Sequence, residues 1–300
     1  MAENYIVFDI GGTSIKYALM NDKAEFLMKD SFVTRREDAQ LVLKDVADTV
    51  NKYKDEYQLK GIAMSIPGSI NVETGYVGFM SAIKGLTNIN VKEYMLEHTG
   101  LEAEMDNDAN CATMAEQWQG GGRGIADFCC FTIGTGIGGG MVINHRIHRG
   151  HKYMAGEFGV MLTQGIGREP FGANWWSALG ATSMLVKRAS EASGEELDGE
   201  EIFRRAQSGD AICAKEVNDF YMANAIGIFD LVYSINPEKI LIGGGVSAQG
   251  DALIKGIEDK LREIYPDVLD LVTIETCQLK NDAGMIGALF NYLQRHGLVA

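Results

Sequence analysis

Two stretches of this chain run from a hydrophobic segment into a Gly/Thr turn: Ile6-Val7-Phe8-Asp9-Ile10-Gly11-Gly12-Thr13 and Cys130-Phe131-Thr132-Ile133-Gly134-Thr135-Gly136. Consecutive backbone N–H groups in such turns form a concave, partly positive nest for anions. Two nests facing each other could hold a triphosphate, with Thr13 and Thr135 adding hydroxyl donors. Lys16 could add a positive charge, although a strand lysine also reads as simply solvated. Asp9 ends an otherwise apolar strand, where it could hold Mg²⁺ directly or through water, or merely cap the turn. A third glycine run, Gly243-Gly244-Gly245, follows the apolar Lys239 to Ile242. Glycine suits all three places because, with no Cβ, it allows tight turns and close approach of backbone to a ligand.

Other phosphate-binding designs do not fit. Gly134, Gly136 and Gly139 match G-x-G-x-x-G, but a dinucleotide loop must open a helix. Here Gly140-Met141-Val142-Ile143 is apolar and partly β-branched, which predicts a strand. The chain has no G-x-x-x-x-G-K-[ST] segment.

The elements that must position these turns follow from periodicity. Strands are expected at Tyr5 to Phe8, Ser14 to Met20, near Phe26, Gly61 to Ile66, Asp127 to Ile133, Met141 to Ile143, Lys239 to Ile242 and Val272 to Ile274. Leu43, Val46, Ala47, Val50 and Tyr53 recur at helical spacing, so residues 37–57 read as a helix. Short and final helices are expected over 90–98 and 284–294, and mostly helix from 180 to 235. Asn144-His145 reads as a hairpin turn. Two copies of one strand–glycine turn–strand unit suggest a duplicated domain.

At 300 residues, two domains are the natural reading. A net charge of −14 argues against non-specific binding to nucleic acid or to an anionic membrane. The start of the chain carries no signal-peptide pattern, and no apolar run approaches the ~20 residues of a membrane span. A cytoplasmic location is expected. The five cysteines (Cys111, Cys129, Cys130, Cys213, Cys277) include no C-x-x-C pair and read as reduced thiols, with Cys129 and Cys130 in a buried strand. His145, His148 and His151 read as surface loop residues rather than metal ligands.

Six segments in order resemble the ROK family: Asp9 to Thr13, Asn107-Asp108-Ala109-Asn110, Ile133 to Gly140, Ala155-Gly156-Glu157-Phe158-Gly159, Ile242 to Val246, and Asn281 to Ala288. They span nearly the whole chain. The resemblance implies an α/β, two-lobed actin/hexokinase-like ATPase fold with duplicated ribonuclease-H-like sheets. The lobes are expected at 1–107, with a C-terminal helix over 288–300 returning to it, and at 108–287. ATP and Mg²⁺ are the implied cofactors. By resemblance, Asp9, Gly11, Gly12, Thr13 and Lys16, with Gly134, Thr135, Gly136, Gly138 and Gly139, face the phosphates and Mg²⁺. Gly243, Gly244 and Gly245 lie beside the adenosine. Gly287 and Ala288 sit on a helix crossing between the lobes.

Phosphoryl transfer to an alcohol needs positioning, charge neutralisation and a carboxylate to take the hydroxyl proton. The family pattern puts that base at Asp108, which could also cap a helix over 109–118. Asp106 reads as a solvated strand-end charge. Asn107, Glu157, Gly68 and Ser81 are the expected sugar contacts, Ser81 standing where the family usually has Asn. Many ROK proteins have a His three residues after the Glu, then a cysteine-rich zinc segment. Here Val160 takes that place, no cysteine occurs between Cys130 and Cys213, and no zinc site is expected.

The implied activity is transfer of the γ-phosphate of ATP to the 6-hydroxyl of a small sugar. Val160, Ala82-Ile83 and the zinc-free pattern are most similar to β-glucoside kinases, so a β-glucoside such as cellobiose is expected. N-acetylmannosamine kinase and glucokinase are the alternatives. Val160 offers apolar surface to a second ring, on which Trp175 or Trp176 could stack unless they belong to the core. A ROK repressor would need a DNA-binding helix-turn-helix, for which no room precedes Tyr5, and a sugar sensor without catalysis would not need both Asp9 and Asp108. Dimers are common in the family, and the residues themselves define no interface.

Overall fold

The computed structural model describes residues 3–78, 82–165 and 172–299. In chain order its elements are β1 (Asn4–Ile10), β2 (Ser14–Asn21), β3 (Phe26–Val33), α1 (Ala39–Tyr53), β4 (Ile62–Ile66), α2 (Val91–Thr99), β5 (Ala103–Asn107), α3 (Asp108–Gln119), β6 (Phe128–Ile133), β7 (Ile137–Ile143), β8 (Arg146–Ile147), α4 (Trp176–Gly180), α5 (Thr182–Ser193), α6 (Gly199–Gln207), α7 (Ala211–Ile235), β9 (Lys239–Gly243), α8 (Asp251–Ile264), β10 (Thr273–Thr276) and α9 (Ala283–Arg295). The chain forms two compact units. One comprises Met1–Gln119, Arg149–Met154 and Asn281–Ala300, the other Gly120–His148 and Ala155–Lys280. Helix α3 packs along α9 within the first unit.

Each unit is built on a five-stranded sheet, and the two sheets have the same plan. Their orders are β3-β2-β1-β4-β5 and β10-β9-β6-β7-β8. In the first, β1 pairs antiparallel with β2, β2 with β3, and the additions β4 and β5 are parallel. In the second, β6 pairs antiparallel with β7, β7 with β8, and β9 and β10 are the parallel additions. The repeated strand–glycine turn–strand unit of the sequence is thus the β1–β2 and β6–β7 hairpin of each sheet, as the duplicated ribonuclease-H-like reading expects.

Local chemistry explains the elements. All five residues of β4 are buried, which fits a central strand covered on both faces. Helix α1 starts where the Asp38 carboxylate accepts hydrogen bonds from the Gln40 and Leu41 N–H groups, and it buries Val42, Leu43, Val46, Ala47 and Val50 on one side. Asn144 and His145 have φ of 52° and 62°, the paired positive values of a type I′ hairpin turn joining β7 to β8. Trp176 is fully buried in the second unit, where its indole N–H donates to Asn224 Oδ1 at 3.0 Å. The indole lies against the absent side chain of Gly227, where a Cβ would sit 2.3 Å from the ring. The cysteines are free thiols, Cys129 and Cys130 buried in β6. His145, His148 and His151 are exposed. Among the described residues no helix is long and apolar enough to cross a membrane.

Candidate active site

In the first unit, a row of polar groups crosses the sheet at the C-terminal ends of its parallel strands. Lys16 of β2 stands opposite Asp9 of β1, Asp9 opposite Ser65 of β4, and Ser65 opposite Asp106 of β5. Directly paired residues share a face, so these side chains lie side by side. The Ser65 hydroxyl donates to Asp9 Oδ1 at 2.8 Å, and Lys16 Nζ lies 3.9 Å from Asp9 Oδ2. Lys16 is therefore partnered rather than merely solvated. Gly284, at the start of α9, covers Asp9: a Cβ there would sit 2.7 Å from Asp9 Oδ1. The neighbouring turn is closed by Gly11 N–H to Ser14 O at 3.0 Å, and Thr34 Oγ1 donates to Gly11 O at 2.6 Å. Thr13 is exposed on it, and Gly12 faces Ala82.

The strand–helix junction at β5–α3 holds the two residues of the expected sugar and base motif. Asn107 caps α3: its Oδ1 accepts from Ala109 N–H at 2.9 Å and Asn110 N–H at 3.2 Å. Its Nδ2 donates to Gly68 O at 2.9 Å, tying down a glycine whose φ of 100° needs the absence of a side chain. The capping role considered for Asp108 thus falls chiefly to Asn107, and Asp108 Oδ1 shares the Ala109 N–H at 2.9 Å. Asp108 is the first helical residue, reached by solvent. The protein packed around its carboxyl raises its pKa, the negative charge of Asp9 pushes the same way, and the Ala109 N–H pulls against both. Water contact moderates this shift but leaves its direction.

A base must be deprotonated to work, and a raised pKa delays that as pH increases. If Asp108 is the base that the sequence implies, kcat/KM for the sugar should fall on acidification along a limb lying above the ~3.9 of an ordinary Asp. A limb at or below that value would mean that Asp108 is not the titrating base.

Asp106 corrects the sequence expectation. It is 1% exposed, not solvated. Arg149 donates to it through Nε at 2.7 Å, and its Oδ1 accepts from Asn107 N–H at 2.7 Å and Asn110 Nδ2 at 3.1 Å. Nothing near Asp106 in sequence announces this arginine. Ser65 and Arg149 are the members of this cluster that sequence patterns did not single out.

The second unit brings together the other glycine turns. Gly134-Thr135-Gly136 links β6 to β7, with Thr135 and Gly136 exposed. Ser183, in the first turn of α5, braces it: its N–H donates to Gly134 O at 3.2 Å and its hydroxyl to Thr135 O at 2.7 Å. Gly244, with φ of 84°, lies against the backbone of Ile133, where a Cβ would be 2.3 Å from the carbonyl oxygen. The exposed Gly244 and Gly245 therefore sit beside the Gly134 turn, so the residues expected at phosphates and at adenosine are neighbours. Gly243 is buried in β9, and Gly138 and Gly139 lie within β7 rather than in the turn. The ring of Phe158 occupies the place of a Gly139 side chain.

The Ala155 to Gly159 loop packs on β7. A Cβ on Gly156 would meet Gly139 O at 2.5 Å, and one on Gly159 would meet Ile137 O at 2.2 Å. Glu157 is half-buried between these contacts. Val160 follows, 50% exposed. Leu162 bridges to Trp175 while Trp176 N–H donates to Met161 O at 2.8 Å. Met161 and Trp176 pack against the core, Leu162 is 49% exposed and Trp175 is half-buried. Ser81 lies outside the described residues.

Among the described residues no group of three or more His, Cys, Asp or Glu could hold a metal ion by itself. Asp9 offers a single carboxylate, which suits a hydrated Mg²⁺ arriving with a nucleotide, since that ion keeps most of its waters and takes phosphate oxygens.

The ROK family model matches residues 5–295. A β-glucoside kinase of Listeria monocytogenes is 36% identical over 292 residues, 96% of each chain. A solved structure from Listeria monocytogenes, described as a candidate N-acetylmannosamine kinase, is 34% identical with a TM-score of 0.91, covering 98% of this chain and 99% of that one. A ROK family protein of Streptococcus pneumoniae, solved with sucrose, is 31% identical with a TM-score of 0.88 over the full length of both. With the actin/hexokinase-like sheets, the glycine turns and the β5–α3 junction in place, this chain belongs to the ROK family and sits among its sugar kinases.

Proposed function

We propose that this chain transfers the γ-phosphate of ATP to the 6-hydroxyl of a glucosyl unit, with β-glucosides such as cellobiose as its preferred acceptors. The observation that carries the reading is Asp108, presented in the first turn of α3 with its carboxyl pKa raised. It takes the proton as the sugar oxygen bonds to phosphorus and the bond to the ADP oxygen breaks. Lys16 and the N–H groups of the Gly11–Thr13 and Gly134–Gly136 turns face the phosphates, and Gly244-Gly245 the adenosine. Asp9 would hold Mg²⁺, directly or through water, and the ion would neutralise phosphate charge when bound. Asn107, Gly68, Glu157 and Ser81 contact the sugar. The two compact units serve as the two lobes of the kinase.

Three features favour a β-glucoside. Val160 cannot hydrogen-bond a free anomeric hydroxyl. With Leu162 (49% exposed) and the half-buried Trp175 it offers apolar surface that could receive a second ring. The similar Listeria monocytogenes protein is a β-glucoside kinase. Trp176 belongs to the core, so Trp175 is the stacking candidate.

A coupled ADP assay should give a higher kcat/KM on cellobiose or an aryl β-glucoside than on glucose, with phosphate on the 6-hydroxyl of the non-reducing glucose. If N-acetylmannosamine is preferred by more than about tenfold, the gap of about 1.4 kcal/mol in transition-state binding favours the amino sugar and the β-glucoside reading fails.

A further inference from the structure

We propose that Arg149 is a positioning residue for Asp108, an inference that rests on reading Asp108 as the base. Arg149 belongs to the short segment Arg149–Met154 that joins the first unit. It reaches two elements at once. Its Nε donates to Asp106 Oδ2 at 2.7 Å, and a terminal nitrogen lies 2.6 Å from the same oxygen. That terminal nitrogen also donates to Asn291 Oδ1 of α9 at 3.0 Å.

The other oxygen of Asp106 carries the effect onward. Oδ1 accepts from the Asn107 N–H and from the Asn110 side chain. These residues flank Asp108 on either side. Asn107 in turn caps α3 and holds Gly68. The Asp108 carboxylate shares the Ala109 N–H with the Asn107 cap, and both backbone neighbourhoods that aim it are held by Asp106. Arg149 fixes Asp106 in turn, because its guanidinium makes the charge-assisted contact to a carboxylate that is 1% exposed.

A planar guanidinium is suited to this task. It presents several donors in one rigid fork, so one side chain can hold Asp106 and Asn291 together. An ammonium supplies the charge without the fork. A displacement of even ~1 Å in a catalytic group can cost ~100-fold in rate. Loosening the junction should therefore lower kcat while leaving substrate affinity nearly intact.

The test is steady-state kinetics on Arg149→Lys and on the double variant Arg149→Met/Asp106→Asn, with circular dichroism melts and Asp108→Asn in parallel. Arg149→Lys keeps the buried charge balanced, and the double variant removes both charges together. Both are expected to lower kcat by about tenfold or more, with KM for ATP and sugar within about threefold and a cooperative melt. A folded variant with kcat within twofold of wild type would overturn the proposal. So would a rise in KM with kcat unchanged, or unfolding of both variants, since either would leave Arg149 a binding or purely structural residue. If Asp108→Asn itself retains kcat, the reading of Asp108 as base fails, whatever Arg149 does.

Discussion

Asp108→Asn should lower kcat by ~10²–10⁴ while leaving sugar affinity within about tenfold. The amide has nearly the shape of the carboxylate, and the cap on α3 falls chiefly to Asn107, so the helix should start where it does now. On the proposed reading, what is lost is the acceptor for the hydroxyl proton. Stability should change little, because Asp108 is exposed and an amide oxygen can still accept from the Ala109 N–H. Rapid-mix kinetics with ATP, beside sugar binding by calorimetry, separates the two quantities. A variant retaining more than a tenth of wild-type kcat would show that another group takes the proton.

Gly287→Ala should be the most damaging small substitution in the first unit. Here α3 and α9 pack so closely that a Cβ on Gly287 would lie 1.7 Å from the Cys111 carbonyl oxygen. That obstacle is backbone, so no side chain can rotate away. The helices would have to separate, and the stacked Trp118 and Phe290 rings, 5.1 Å apart, would separate with them. Overpacking typically costs 1–3 kcal/mol, and a clash with backbone belongs at the upper end, about 3 kcal/mol. Because α3 carries Asp108, kcat per folded molecule should drop as well. A urea midpoint within ~0.5 kcal/mol of wild type would mean that the helices part at little cost.

How much of this was legible in the sequence depends on distance along the chain. The β1–β2 and β6–β7 hairpins were, because a hydrophobic strand and its glycine turn are contiguous. So was the Asn144-His145 turn, whose positive φ values are a local property of those residues. The fate of Asp106 was not. A strand-end aspartate is solvated unless something buries and balances it, and here that partner is 43 residues away. Local spacing cannot encode such a pair. The roles within Asn107-Asp108 were half legible: a cap and an acidic group were evident, but which residue did which depended on backbone geometry at the β5–α3 junction. The adjacent tryptophans posed the same problem, resolved only by tertiary packing, which encloses Trp176 fully and leaves Trp175 half-buried.

The first unit is assembled from three separated stretches of chain, and this has a consequence for synthesis on the ribosome. Helix α9 packs on β1, β4, β5 and α3, so it covers a sheet whose strands are all made by residue 107. Residues 120–280 intervene, apart from the short return at Arg149–Met154. At ~5–20 residues per second, that sheet waits roughly ten to thirty seconds for its lid. Meanwhile the faces later closed by Leu289 and Leu293, both fully buried in the finished protein, stay open to water and to chaperones. The nascent chain should therefore close its second unit before its first, although the strands of the first sheet are translated earlier.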